Sequence, residues 1–197
     1  MLSEAEIVAQ KVIEAFDALG IGYFIGGSVA STIHGIPRMT MDVDIVSDMS
    51  ENQVESFVAR LEEEFYVDAD MIRTALANQS SFNVIHLLTM VKADIFAMKR
   101  SPWADMEWTR RQRKRIGPED DSPEAFVASA EDMVLQKLQW YRMTGERSDR
   151  QWGDVQGILK VQAERLDVSY LRRWAGELLL TDLLTQSLLD AGLEDAA

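Results

Sequence analysis

The chain contains no cysteine, which excludes disulfides and thiolate-bound metals. Histidine is nearly as scarce, with two among 197 residues. That is too few for a zinc site built on imidazoles. No stretch approaches the ~20 apolar residues that span a bilayer. The opening residues, MLSEAEIVAQKVIEAF, carry acids where a secretory signal carries bases, and they lack its apolar centre. The expected compartment is therefore the cytoplasm, with no membrane partner. Positive charge is also in short supply. Lys and Arg number 20 against 33 Asp and Glu, for a formal net charge of −13. Such a surface repels nucleic acid as a whole, so any contact would have to come from a local patch. One candidate exists: Arg110, Arg111, Arg113, Lys114 and Arg115.

What is present suits a folded chain. Hydrophobic residues make up 47% and charged residues 27%, enough for a core in one domain or two small ones. Ala5, Val8, Ala9, Val12, Phe16 and Leu19 recur at three- and four-residue spacing, which predicts a helix over 3–19. Ser3 and Glu6 have the spacing of a capping box, and Gly20 and Gly22 stop the helix. A short buried strand is expected at 23–25, a short helix at 28–34 and a strand at 40–46. A helix from Ser47 or Ser50 to about residue 65 follows, then a second short helix over 70–78. Residues 81–88 and 89–98 read as two strands of a hairpin. Prolines, three consecutive acids and the basic run then mark 101–123 as a junction or exposed connection. The basic run itself reads as a charged edge strand, as a partner of the acids Glu119, Asp120 and Asp121, or as an RNA contact near Trp103 and Trp108. Helices are expected from Ser129 or Glu131 to 143, then over 148–161, 167–178 and 181–189. The tail, 194–197, is expected to fray.

The stretch over 23–46, YFIGGSVASTIHGIPRMTMDVDIV, concentrates the chemistry. Asp42 and Asp44 alternate with Met41, Val43 and Ile45, so on a strand both carboxylates share one face. They are either solvated acids on an exposed face or ligands of a divalent ion. Mg2+ takes oxygen donors and keeps waters and phosphates in its shell. Asp94, in the apolar strand VKADIF, is the natural third carboxylate. Gly26, Gly27 and Ser28 form either a plain strand-to-helix turn or a phosphate cradle. In the second case the glycines admit a ligand close to the backbone, and the new helix offers its free N–H groups. Arg38 is either a phosphate contact or a surface ion-pair partner. His34 reads as a helix-end residue that packs locally.

The order strand, Gly-Gly-Ser turn, helix, Asp-x-Asp and later Asp resembles the signature of the DNA polymerase β-type nucleotidyltransferase superfamily. More narrowly, GGSVASTIHGIPRMTMDVDIV is similar to the AbiEii/MenT-like nucleotidyltransferases, many of which are toxins of toxin–antitoxin pairs. Gly27, Ser28, Arg38, Thr40, Asp42 and Asp44 match the first motif of that group position by position. Its later motifs place a Lys on a helix and acids opening the next one. EDMVLQKLQWYR offers Lys137, and RSDRQWGDV offers Asp149 and Asp154, which stand further apart than the group's acids do.

The resemblance implies an α/β (α+β) fold: a small mixed nucleotidyltransferase-type sheet flanked by helices, then an all-helical C-terminal half. The expected division is a catalytic core over 1–100, a connection over 101–123 and a helical domain over 124–197. Mg2+ or Mn2+ would sit on Asp42, Asp44 and Asp94. An NTP would meet Gly26, Gly27, Ser28, Arg38, Thr40, Lys137 and Asp154. The implied activity moves NMP to the hydroxyl of a tRNA, a protein or a small molecule, with a cognate antitoxin as a possible partner. The alternative is a non-catalytic module that keeps this fold within a protein complex.

Overall fold

The computed structural model describes residues 3–40, 42–117, 119 and 122–193. Expectations for Met41, Asp120, Asp121 and the tail over 194–197 lie outside them. The chain is mixed α/β and gathers into two compact units, one formed by 1–29 with 39–127 and the other by 30–38 with 128–197. The division at 100 and 123 stands as a proposal about independently folding parts.

The first unit opens with α1 (Glu4–Leu19). Ser3 caps it reciprocally: Glu6 N–H donates to Ser3 Oγ at 3.2 Å, and Ser3 N–H donates to the Glu6 carboxylate at 2.6 Å. Gly20 ends it in the left-handed conformation, at φ 63°. Next come β1 (Tyr23–Ile25), α2 (Gly27–His34), which continues into the second unit, and β2 (Asp42–Ser47). A 3-10 turn at Glu51–Gln53 leads into α3 (Val54–Leu61), followed by β3 (Phe65–Tyr66) and α4 (Ala69–Ala77). The hairpin is present as β4 (Ser81–His86) and β5 (Lys92–Ala97). After it come α5 (Pro102–Arg110), β6 (Gln112–Arg115) and β7 (Glu124–Val127).

The strands form one seven-stranded mixed sheet in the order β3-β4-β5-β2-β1-β7-β6. β2 runs parallel to β5 and antiparallel to β1, while β7 joins β1 in parallel. Register decides which side chains meet, because paired residues project to the same face. Phe82, Ile95, Ile45 and Ile25 form one apolar row across β4, β5, β2 and β1. The rings of Phe16, Phe57 and Phe82 follow one another at 5.1 and 6.3 Å, so α1 and α3 cover this face. All of these side chains are buried. Burial of a Phe or Ile contributes about 1.5–3 kcal/mol, and it leaves polar residues only the opposite face.

Three differences from expectation have local causes. The helix after Ser50 is shorter than predicted, because Phe65 pairs with His86 as strand β3. Residues 101–123 hold a helix as well as a strand. Ser101 Oγ accepts from Ala104 N–H at 3.1 Å, and Pro102 occupies the first turn. Residues 124–127, placed with the helices by sequence, instead pair with β1 and β6.

The second unit beyond Val127 is helical: α6 (Ala130–Met143), α7 (Asp149–Gln162), a 3-10 turn at Ala163–Arg165, α8 (Val168–Glu177) and α9 (Thr181–Asp190). Leu135, Leu138, Ile158, Leu159, Leu171 and Leu188 fill its core. Asp132 is fully buried and held by Ser129 Oγ at 2.6 Å and the Tyr170 hydroxyl at 2.5 Å. His34 donates from Nε2 to the Ala128 carbonyl at 2.7 Å, the local packing expected of it. No helix among the described residues is long and apolar enough to cross a membrane.

Candidate active site

The carboxylates lie on the sheet face opposite the Phe82–Ile25 row. Asp44 of β2 and Asp94 of β5 are direct register partners, and Asn83 of β4 continues their row on the far side. On the near side Gly26 N–H donates to the Asp44 carbonyl at 2.9 Å. Asp42, two residues before Asp44, is exposed, and Asp44 and Asp94 are half-buried. The expected third carboxylate therefore stands beside the second.

The turn after β1 is shaped around Asp44. Gly27 has φ +55°, a conformation that L side chains rarely adopt. A Cβ placed there would lie 1.7 Å from Asp44 Oδ2 and 2.5 Å from its Cγ. The residue must lack a side chain for the Asp44 carboxylate to occupy its place. Ser28 follows in the first turn of α2 and is half-buried. Thr40 precedes β2 rather than belonging to it, and its hydroxyl donates to the Asp42 carbonyl at 3.1 Å.

One member of this face went unread in the sequence. Lys92 is the register partner of Asp42, and its Nζ lies 2.7 Å from Asp94 Oδ2. The bond to Asp94 holds the ammonium above the ordinary lysine range. Burial opposes this, and the charges of Asp94, Asp42 and Asp44 reinforce it. The signal was the two-residue spacing from Lys92 to Asp94, which puts both on one face of a strand.

Arg38, Lys137 and Asp154 come together in the second unit. Arg38 grips Asp154 with both forks of its guanidinium, Nε to Oδ1 at 2.8 Å and the terminal nitrogen to Oδ2 at 2.9 Å. Lys137 Nζ stands 2.8 Å from Asp154 Oδ2, and its side chain is 5% exposed. Burial pushes the Asp154 carboxyl up, but the bonds and charges of Arg38 and Lys137 outweigh it and hold the group below the usual range. Arg38 is held above its ordinary value by the same bond. Asp149 opens α7. Of the basic run, Arg110 ends α5, Arg111 caps it, and Arg113, Lys114 and Arg115 lie in β6 at the end of the sheet order, with Arg113 3.6 Å from Glu124 and the Arg111 guanidinium 4.1 Å over the Trp108 ring.

Hard carboxylate oxygens on one face are the donor chemistry of Mg2+ or Mn2+. Asp42, Asp44 and Asp94 supply them. Among the described residues no three acidic or histidine groups converge on a point that could hold a metal ion, and Lys92 takes one oxygen of Asp94.

No family model matches the chain, and no curated protein matches it. Solved structures do. The lincosamide antibiotic adenylyltransferase LnuA, bound to lincomycin, matches with a TM-score of 0.52 at 12% identity, over 81% of this chain and 98% of that one. ANT(2'')-Ia in complex with adenylyl-2''-tobramycin matches at 0.57 and 12%, over 87% and 97%. An antigenic nucleotidyltransferase-like protein from Paracoccidioides brasiliensis matches at 0.55 and 17%, over 96% and 94%. At these identities the likeness is one of fold, and the chain has a nucleotidyltransferase fold.

Proposed function

We propose that the chain is a metal-dependent nucleotidyltransferase that moves NMP from an NTP to an acceptor hydroxyl. The observation that carries this reading is the row Gly26–Asp44–Asp94, with Gly27 cleared of any side chain where the Asp44 carboxylate lies. Asp42 and Asp44 would hold the divalent ion, with Asp94 beside them. When bound, that ion supplies charge neutralisation for the phosphates. Gly27 and Ser28 at the start of α2 offer N–H groups to phosphate oxygens. Thr40 is proposed as a further nucleotide contact, and the resemblance of the motifs carries the proposal that Arg38, Lys137 and Asp154 of the second unit contact nucleotide, Asp154 by ordering the two cations. The acceptor oxygen attacks the α-phosphorus as Asp94 draws off its proton, and the bond to pyrophosphate breaks.

The resemblance of the first motif carries a finer proposal, that the acceptor is a tRNA end or a protein and the chain is a toxin with a cognate antitoxin. The net charge of −13 works against a large RNA interface. Two of the structural neighbours hold the small molecules lincomycin and adenylyl-2''-tobramycin, which favours a small-molecule hydroxyl here. Incubation with each α-labelled NTP, total RNA, lysate protein and small-molecule fractions would show where label appears. Asp42→Asn with Asp44→Asn is expected to abolish metal-dependent transfer while leaving the fold intact. Transfer by the double variant would overturn the assignment.

The Lys92–Asp94 pair favours a second reading, a binding module whose acids are neutralised internally. Calorimetry with NTP and Mg2+ separates the two, since a module of that kind shows no metal-dependent nucleotide binding.

A further inference from the structure

Like charges crowded on one sheet face repel, and a fold that gathers them must supply a counter-charge or leave them in water. Three aspartates share the face described above, and a bond joins one of them, Asp94, to the ammonium of Lys92. Lys92 is placed twice over. Register sets it beside Asp42, and its ammonium reaches Asp94, two residues along its own strand. Its side chain is 38% exposed, so the ammonium has room to move without unpacking the sheet. Ala93 and Ile95, its neighbours in β5, are fully buried and fix the strand beneath it.

We propose that Lys92 is the resident counter-ion of the carboxylate face, occupying Asp94 before a divalent cation arrives and competing with it for the same oxygens. This rests on the nucleotidyltransferase reading and adds to it a residue that sets how much metal the site requires. Lys92 is a positioning residue. It holds one oxygen of Asp94, with Nζ 2.7 Å from Oδ2. Incoming phosphates give the ammonium a new anionic partner as it leaves Asp94, so nucleotide and metal would load together.

The test is Mn2+ binding to the intact protein, followed by the paramagnetic signal of free Mn2+, with and without a non-hydrolysable NTP analogue. Lys92→Met is expected to bind Mn2+ roughly three- to tenfold more tightly than wild type without nucleotide, since one competing positive charge is gone. The dependence of metal affinity on the analogue should shrink accordingly. Lys92→Arg keeps the charge and is expected to behave like wild type. Circular dichroism of Lys92→Met and Lys92→Gln establishes that the fold survives, and either variant serves. If Mn2+ binds wild type in an Asp44-dependent manner but Lys92→Met and Lys92→Gln bind no more tightly, the counter-ion role is overturned and the enzyme reading stands. If no variant binds Mn2+ even with the analogue, both are overturned.

Discussion

Gly27 and the carboxylate of Asp44 occupy one space: a methyl group on the first would lie 1.7 Å from an oxygen of the second. Gly27→Ala must therefore move Asp44 or shift the turn. The left-handed φ alone costs about 1–2 kcal/mol. Gly20 provides the control, with φ +63° and nothing within 4 Å of an added Cβ. Denaturant unfolding should show a loss of about 1 kcal/mol or somewhat more for Gly20→Ala, with metal-dependent nucleotide binding unchanged. Gly27→Ala should lose at least as much stability and also lose that binding. Equal binding by both variants would separate the turn from the site.

Tyr23 gives an alkaline prediction. Burial, helped by the charge of Asp17, pushes its hydroxyl up to about 12 from 10.0. A backbone hydrogen bond with Phe126 and the charge of Arg113 act the other way. The folded state thus resists ionisation that the unfolded chain accepts. The stability tied to the neutral phenol is fully present below pH 10 and is lost as pH rises toward 12. Unfolding midpoints measured across that window should fall for wild type and fall less for Tyr23→Phe.

The legibility of this fold follows physical lines. DVDIV declared β2 because alternation is local, and GGS declared the turn. β6 was harder to read: QRKR has no apolar alternation, since an edge strand facing solvent needs none. β7 is four residues long and follows a Pro-containing stretch, so its pairing with β1 comes from tertiary contact rather than pattern. Asp94 stood out in the sequence as an acid within an apolar strand, and it remains a proposed third carboxylate. Its position directly beside Asp44 was not readable, because alternation fixes a face but not the register along it. Arg38 and Asp154 are 116 residues apart, and no spacing rule spans that distance. Lys92 was open to reading, since its spacing from Asp94 puts both on one face.

Arg111 tests what the basic run does. Its guanidinium lies 4.1 Å from the Trp108 ring centre and 4.9 Å from that of Phe126, and it donates to the Trp108 carbonyl. Such stacking contributes about 0.5–2 kcal/mol. Arg111→Ala should lower stability by roughly that amount and alter Trp108 fluorescence. Arg115→Ala, on the exposed strand end, should change stability by no more than about 0.5 kcal/mol. If both variants instead left stability untouched but weakened RNA binding, the run would be a ligand surface rather than sheet structure.

The Arg38–Asp154–Lys137 cluster makes the sharpest stability prediction. The Asp154 side chain is 7% exposed and that of Lys137 is 5%. Asp154→Asn removes the only negative charge in the triad and leaves two cations facing each other, one of them buried. Removing one partner from a buried pair typically costs about 3–5 kcal/mol. The partial exposure of Arg38, at 29%, places the expected loss near the lower end. Lys137→Met paired with Asp154→Leu removes charge on both sides and should cost less than Asp154→Asn alone, because no buried ammonium is left without its carboxylate. The pH dependence has a definite sign. The folded carboxyl lies below the ordinary 3.8, so its contribution is present above that value and is lost as pH falls through the folded one. In acid titrations below pH 3.8, wild type should lose stability more steeply than Asp154→Asn, and the two curves should converge. Parallel curves would mean that Asp154 is not charged in the folded state, and the cluster would then be a hydrogen-bonded packing contact rather than an ordered pair of cations.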